Sequence, residues 1–127
     1  MSLVLAAAAP LALTAASRPD AEQAKIDRLL DEVRTSPATF VRNGVDYDGK
    51  RAAAHLARKL FFAGSRVQTA RDFVLGVASS SSESGKPYLI RFAGQPARPL
   101  HDWLLERLAA IEPPPTPGRT PSPAARP

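Results

Sequence analysis

Two short stretches of this chain carry a strand pattern strong enough to demand a partner. Pro87 to Phe92 (Pro-Tyr-Leu-Ile-Arg-Phe) sets Tyr88, Ile90 and Phe92 on one side and Leu89 and Arg91 on the other. Thr39 to Arg42 is β-branched and aromatic, and it runs into Asn43-Gly44, a strong signal for a tight turn. Neither stretch can stand alone, because a lone strand leaves its backbone donors and acceptors without partners. They are therefore expected to pair with each other, with Val45-Asp46-Tyr47 able to return from the turn as a further short strand. That pairing decides how Val77 to Arg91 is read. Its serine run, Ser79 to Ser82 followed by Ser84-Gly85, has the composition of a flexible linker. The strand after it must nevertheless come back to Phe40, which requires an ordered, donor-rich bend.

The remaining pattern is helical. Ile26, Leu29, Leu30 and Val33 fall on one face opposite Lys25, Arg28, Asp31 and Glu32, and Asp20 with Gln23 has the spacing of a capping box. Ser36-Pro37 stops this first helix. Asp48 is placed to cap a second, whose inner face is Ala52, Ala53, Leu56, Ala57 and Leu60 and which Gly64 ends. Thr69 starts a third, with Asp72 three residues on and Ala70, Phe73, Val74 and Val77 facing inward. A last helix begins near Pro99 and carries the stripe Leu100, Trp103, Leu104, Leu108 and Ile111, with Trp103 expected to be its largest core contribution. The expected fold is α+β, a small two- or three-stranded antiparallel sheet packed with about four helices.

The ends of the chain read differently. Leu3 to Ala16 is an apolar run too short to span a bilayer and suited to a signal-peptide core, so residues 1–16 are expected to be removed on export, leaving Ser17 first. The basic n-region usual in such peptides is missing, which points to a start codon upstream. Residues 113–127 are rich in proline (Pro113, Pro114, Pro115, Pro117, Pro121, Pro123 and Pro127) and are expected to be a disordered tail, leaving 17–112 as the one folded domain. With no cysteine, disulfides, Cys-linked lipid and thiolate metal sites are excluded. The formal charge of +5 favours anionic partners.

The joint spacing of several pieces resembles a known family. These are Phe40-Val41-Arg42-Asn43-Gly44, Tyr47, Ala53-Ala54-His55-Leu56 with Lys59, Arg66 with Thr69-Ala70 and Phe73, and Ala78 to Ser82 running to Ser84-Gly85-Lys86-Pro87-Tyr88. The pattern is similar to the YfeK-like family, a bacterial group classed as a domain of unknown function, over roughly residues 20 to 110. The resemblance implies a small exported protein and supplies no activity, cofactor or catalytic residue. Phe61-Phe62-Ala63-Gly64 departs from it, standing where a more polar connector is expected, and the Pro-rich tail looks like an addition.

Most catalytic chemistries fail on spacing. Gly76 with Gly85-Lys86 is not a phosphate loop, since Pro87 holds the Ser/Thr position and the order is helix then strand. No Gly-x-Ser-x-Gly elbow is present, although His55 with a serine of Ser80 to Ser84 remains a conceivable nucleophile pair. No metal site is expected: His101 and Asp102 are sequence neighbours that point to different helix faces, and His55 has no second ligand at metal spacing. No cofactor is expected either. His55 beside Ala54 and Leu56 is also consistent with a hydrogen-bonded structural residue.

What remains is a polar cluster. Arg51, His55 and Lys59 recur along one face of the second helix, and if the two strands are adjacent, Arg42-Asn43 and the serine bend approach that face. The candidate ligand-binding set is Arg42, Asn43, His55, Lys59, Arg66, Ser80, Ser82, Ser84, Lys86 and Tyr88. Two readings stay open: these groups hold an anion through charge-assisted bonds, or the serines satisfy the last carbonyls of the third helix and the arginines are solvated or paired with Asp46 and Asp48. The functional expectation is a non-enzymatic binding or interaction module of the bacterial periplasm, with an envelope protein or an anionic glycan or lipid as partner. A small Ser/His hydrolase or transferase is the alternative. Nucleic acid ranks last, because no aromatic platform lies among the basic residues.

Overall fold

The computed structural model describes residues 17–112; the expected signal peptide and Pro-rich tail lie outside the described residues. Four helices and four short strands alternate in the order α1 (Asp20–Thr35), β1 (Thr39–Arg42), β2 (Val45–Tyr47), α2 (Gly49–Ala63), α3 (Ala70–Asp72, continuing as a wider π turn over Phe73–Val77), β3 (Leu89–Arg91), β4 (Arg98–Pro99) and α4 (Leu100–Ile111). The sheet is antiparallel with strand order β2-β1-β3-β4. β1 and β3 meet as the strand argument required, with Phe40 opposite Ile90.

The sheet has four strands instead of two or three. β4 is two residues long, includes a proline and has no alternating pattern, so no periodicity could announce it. It exists because the chain must return along Leu89 before entering α4, and Leu100 N–H donates to the Tyr88 carbonyl at 2.8 Å.

The turn between β1 and β2 follows its residues. Asn43 and Gly44 both take positive φ, 52° and 78°, the geometry that Asn-Gly adopts at least cost. Asp48 caps α2 by accepting from Arg51 N–H, and Thr69 and Asp72 form a reciprocal capping box at the start of α3. The cap of α1 differs from expectation. Pro19 occupies that position, no side chain caps the helix, and Asp20 instead places its charge in the first turn while Gln23 bonds to Asp27.

One core joins all these elements. Ile26, Leu29 and Val33 of α1, Leu56 and Leu60 of α2, Phe73, Val74 and Val77, and Leu100, Leu104 and Leu108 of α4 close over Phe40, Tyr88 and Ile90. Phe73 is the largest fully buried side chain. Trp103, expected to hold that place, is only partly buried. It sits at the rim of the core, edge-on to Phe40 at 6.5 Å and tilted against Phe92 at 6.1 Å.

The serine bend is ordered by its own bonds. Ser79 donates to the Val74 carbonyl, closing the end of the π turn, and Ser80 bridges to Pro87. Ser81 N–H donates to Lys86 O, and Gly85 N–H donates to Ser81 O.

Candidate functional site

Alternation along β1 carries Arg42 to the same side as Phe40, and register pairs Phe40 with Tyr47. The same parity turns Ile90 of β3 and Tyr88 just before it inward, where both are buried. Helical spacing on α2 then sets Arg51, His55 and Lys59 along these tyrosines. The Arg51 guanidinium lies over the Tyr47 ring at 5.6 Å, His55 packs edge-on to Tyr88 at 5.9 Å, and the Lys59 ammonium lies 4.8 Å from the Tyr88 ring centre.

A hydrogen-bonded chain runs through the Tyr88 hydroxyl. Lys59 Nζ donates to it at 2.9 Å and to the Ser80 carbonyl at 2.8 Å, and His55 Nε2 lies 3.1 Å from the same hydroxyl. Since the lysine can only donate, the Tyr88 O–H is free to donate onward to a neutral His55. The pKa of His55 is pushed down, first by burial and then by the charges of Arg42, Lys59 and Arg58, so the ring favours the neutral form.

Beside this chain lies a small cleft of about 60 Å3, lined by Phe40, Val41, Arg42, Tyr47, Ala52, His55, Leu56, Tyr88, Leu89 and Leu100. Its walls are almost wholly apolar apart from Arg42, His55 and the two tyrosines. Arg42 is held at its rim by Tyr47 Oη at 3.4 Å and by Glu83 at 3.4 Å. Among the described residues its buried Nε has no acceptor, an unmet donor on a charged group. Asn43 ties the β1–β2 turn to the serine bend: its Nδ2 donates to Ser81 Oγ at 3.1 Å, and Ser84 Oγ donates to its Oδ1. Ser81 is 3% exposed and its Oγ also accepts from the Glu83 and Ser84 amides.

A model described as a family of unknown function, DUF5329, matches residues 20–112. The chain belongs to that family. The DUF5329 match thus spans all four helices and the sheet, cleft included. Among curated proteins, the uncharacterized protein YfeK of Salmonella typhimurium is 43% identical over 68 residues, covering 53% of this chain and 57% of that relative. The match therefore spans little more than half the length of the relative. No solved structure matches.

Of the ten residues expected at the site, the structure gathers Arg42, Asn43, His55, Lys59, Ser80, Ser84 and Tyr88 around the cleft and the bend. Ser80 takes part through its carbonyl. Three stand apart. Arg66, just past α2, donates back to the Ala63 and Phe62 carbonyls at the end of that helix and shares a separate open groove with Lys59, Phe62 and Ser82. Lys86 is exposed, and its backbone rather than its ammonium holds the bend. The expected pairing of arginines with Asp46 and Asp48 is met at Asp46 by Arg91, 2.9 Å away, while Asp48 is the α2 cap and Arg42 pairs with Glu83. Ser81, Glu83 and Tyr47 were missed as site members. Ser81 had no signal separating it from its neighbours, but the β1–β2 register would have placed Tyr47 beside Arg42. Among the described residues no group of three or more His, Asp or Glu is placed to hold a metal, and no helix is long and apolar enough to cross a membrane.

Proposed function

We propose that this DUF5329 chain is an exported envelope protein, led to the periplasm by residues 1–16, that acts as a non-enzymatic binding module for a small anion carrying an apolar group. The observation that carries this reading is the Arg42 guanidinium, which lines an otherwise apolar cleft and is met by Tyr47 and Glu83 at the long distance of 3.4 Å each. A carboxylate or phosphate oxygen at the accessible part of this guanidinium adds a charge-assisted bond, while the cleft takes a group of a few carbons. Lys59 and the neutral His55 stiffen the wall through Tyr88, and the Lys59 ammonium adds positive potential.

The alternative, a small hydrolase or transferase, needs a serine hydroxyl activated by His55. His55 is engaged instead with the Tyr88 hydroxyl, while of Ser80 to Ser84 the Ser81 Oγ accepts from Asn43 and the Glu83 amide and the Ser84 hydroxyl is spent on Asn43. This favours the binding module. The test is a thermal-shift screen of short-chain carboxylates and phosphate monoesters against the protein and its Arg42→Met variant. Stabilisation by an anion that the variant no longer shows supports the reading, and a shift of equal size in both proteins overturns it.

A further inference from the structure

The core face of α2 is Ala53, Leu56 and Leu60, and the two aromatic residues that follow turn away from it. Phe61 is 78% exposed and Phe62 67%, with their rings edge-on at 5.4 Å. A lone exposed apolar residue needs no explanation, but two adjacent phenylalanines left in water at a helix end do.

Their surroundings are cationic. The Arg58 guanidinium lies 5.7 Å from the centre of the Phe62 ring, and Lys59 and Arg66 share with Phe62 an open groove that continues over Gly76 and Val77. From Gly49 to Arg71 the chain contains no acidic residue, yet it holds Lys50, Arg51, Arg58, Lys59, Arg66 and Arg71. Elsewhere Arg28, Arg34, Arg91, Arg98 and Arg107 each meet a carboxylate. Among the described residues none of the six cations of this segment does so.

We propose that this end of α2 docks on an anionic phospholipid surface, with Phe61 and Phe62 entering the interface and Arg58 and Arg66 meeting lipid phosphates. The patch pairs apolar rings with cations that lack a counter-charge, which is the chemistry of peripheral attachment to acidic membranes. A protein partner fits less well: two phenylalanines offer roughly 300–500 Å2 of apolar surface, short of the roughly 800 Å2 per side that a stable protein interface buries. The attachment is shallow and reversible, and independent of the Arg42 cleft.

The test is co-sedimentation of the full chain with vesicles of phosphatidylcholine alone or mixed with phosphatidylglycerol, alongside Phe61→Ser/Phe62→Ser and Arg58→Gln/Arg66→Gln variants. The apolar Leu3–Ala16 run is common to all of them and cancels in the comparison. Binding to the phosphatidylglycerol vesicles should fall about tenfold or more in each double variant and weaken with added salt. Binding by the parent chain that either variant retains in full overturns the proposal, as does failure of the parent chain to bind these vesicles. Loss of a dimer in the phenylalanine variant, with vesicle binding unchanged, identifies a second copy of the chain as the occupant and also overturns it.

Discussion

Gly49, the first residue of α2, lies so close to the last turn of α1 that a β-carbon there would stand 2.2 Å from the Val33 carbonyl oxygen. The Arg34 and Ser36 carbonyl oxygens would each be 3.0 Å from the same atom. All three obstacles are backbone, which cannot swing aside. Gly49→Ala, a substitution that favours helix elsewhere, should here destabilise the domain by about 1–3 kcal/mol, as overpacking does. Urea unfolding checks it, and an unchanged midpoint would show that α1 and α2 can separate at this point.

Burial ranks the aromatic residues. Phe73→Ala should cost about 3–5 kcal/mol, as a large-to-small change in a closed core does, because the residue is fully buried. Trp103→Ala should cost less, since that ring is partly exposed at the rim. Thermal or urea melts of the two variants give the order, and a larger loss at Trp103 would contradict the packing.

His55 gives the fold a pH dependence of definite sign. Its folded pKa lies below the ordinary value of 6.5 through burial and the nearby Arg42, Lys59 and Arg58 charges. Below that value the unfolded chain takes up a proton that the folded one resists, so stability is full above about pH 6.5 and declines as pH falls through it. His55→Gln, which keeps an acceptor for Tyr88, should flatten the stability profile in that window. Urea midpoints of both proteins measured across it decide the matter.

Asn43 has two roles that substitution can separate. Its backbone takes positive φ, and its side chain holds the serine bend through Ser81 and Ser84. Asn43→Gly keeps the turn geometry and removes the bonds, so it should lose about 0.5–1.5 kcal/mol per bond and speed hydrogen exchange at the Glu83 and Ser84 amides. Asn43→Ala should lose more, since the turn is then strained as well. Equal losses in the two variants would mean that the turn strain carries no weight, and no loss in Asn43→Gly would mean that the side chain carries none.

The sequence made legible those features in which one residue type answers one geometric need. Asn-Gly at the hairpin, Asp48 and Thr69 at helix starts, and the pairing of Phe40 with Ile90 all follow from local chemistry. β4 was illegible because two residues have no periodicity, and its pairing comes from the path between β3 and α4. Trp103 was over-read because a helical stripe tells which face is apolar but not how deep each position lies. At the site, helical spacing brought His55 and Lys59 together, and strand parity brought in Arg42 and Tyr88. Arg66 lies past Gly64, where the helix has ended and its spacing no longer applies.

The shortness of the outer strands constrains how this fold can recognise anything. One edge of the sheet is the three-residue β2, and the other is β4, where Pro99 has no N–H to give. Edges this short, one of them bearing a proline, disfavour both the addition of an extended peptide by main-chain pairing and the fusion of two copies into a continuous ladder. Recognition then falls mainly to side chains. Binding here should thus be sensitive to point substitution, and the fold resists templated aggregation even when crowded.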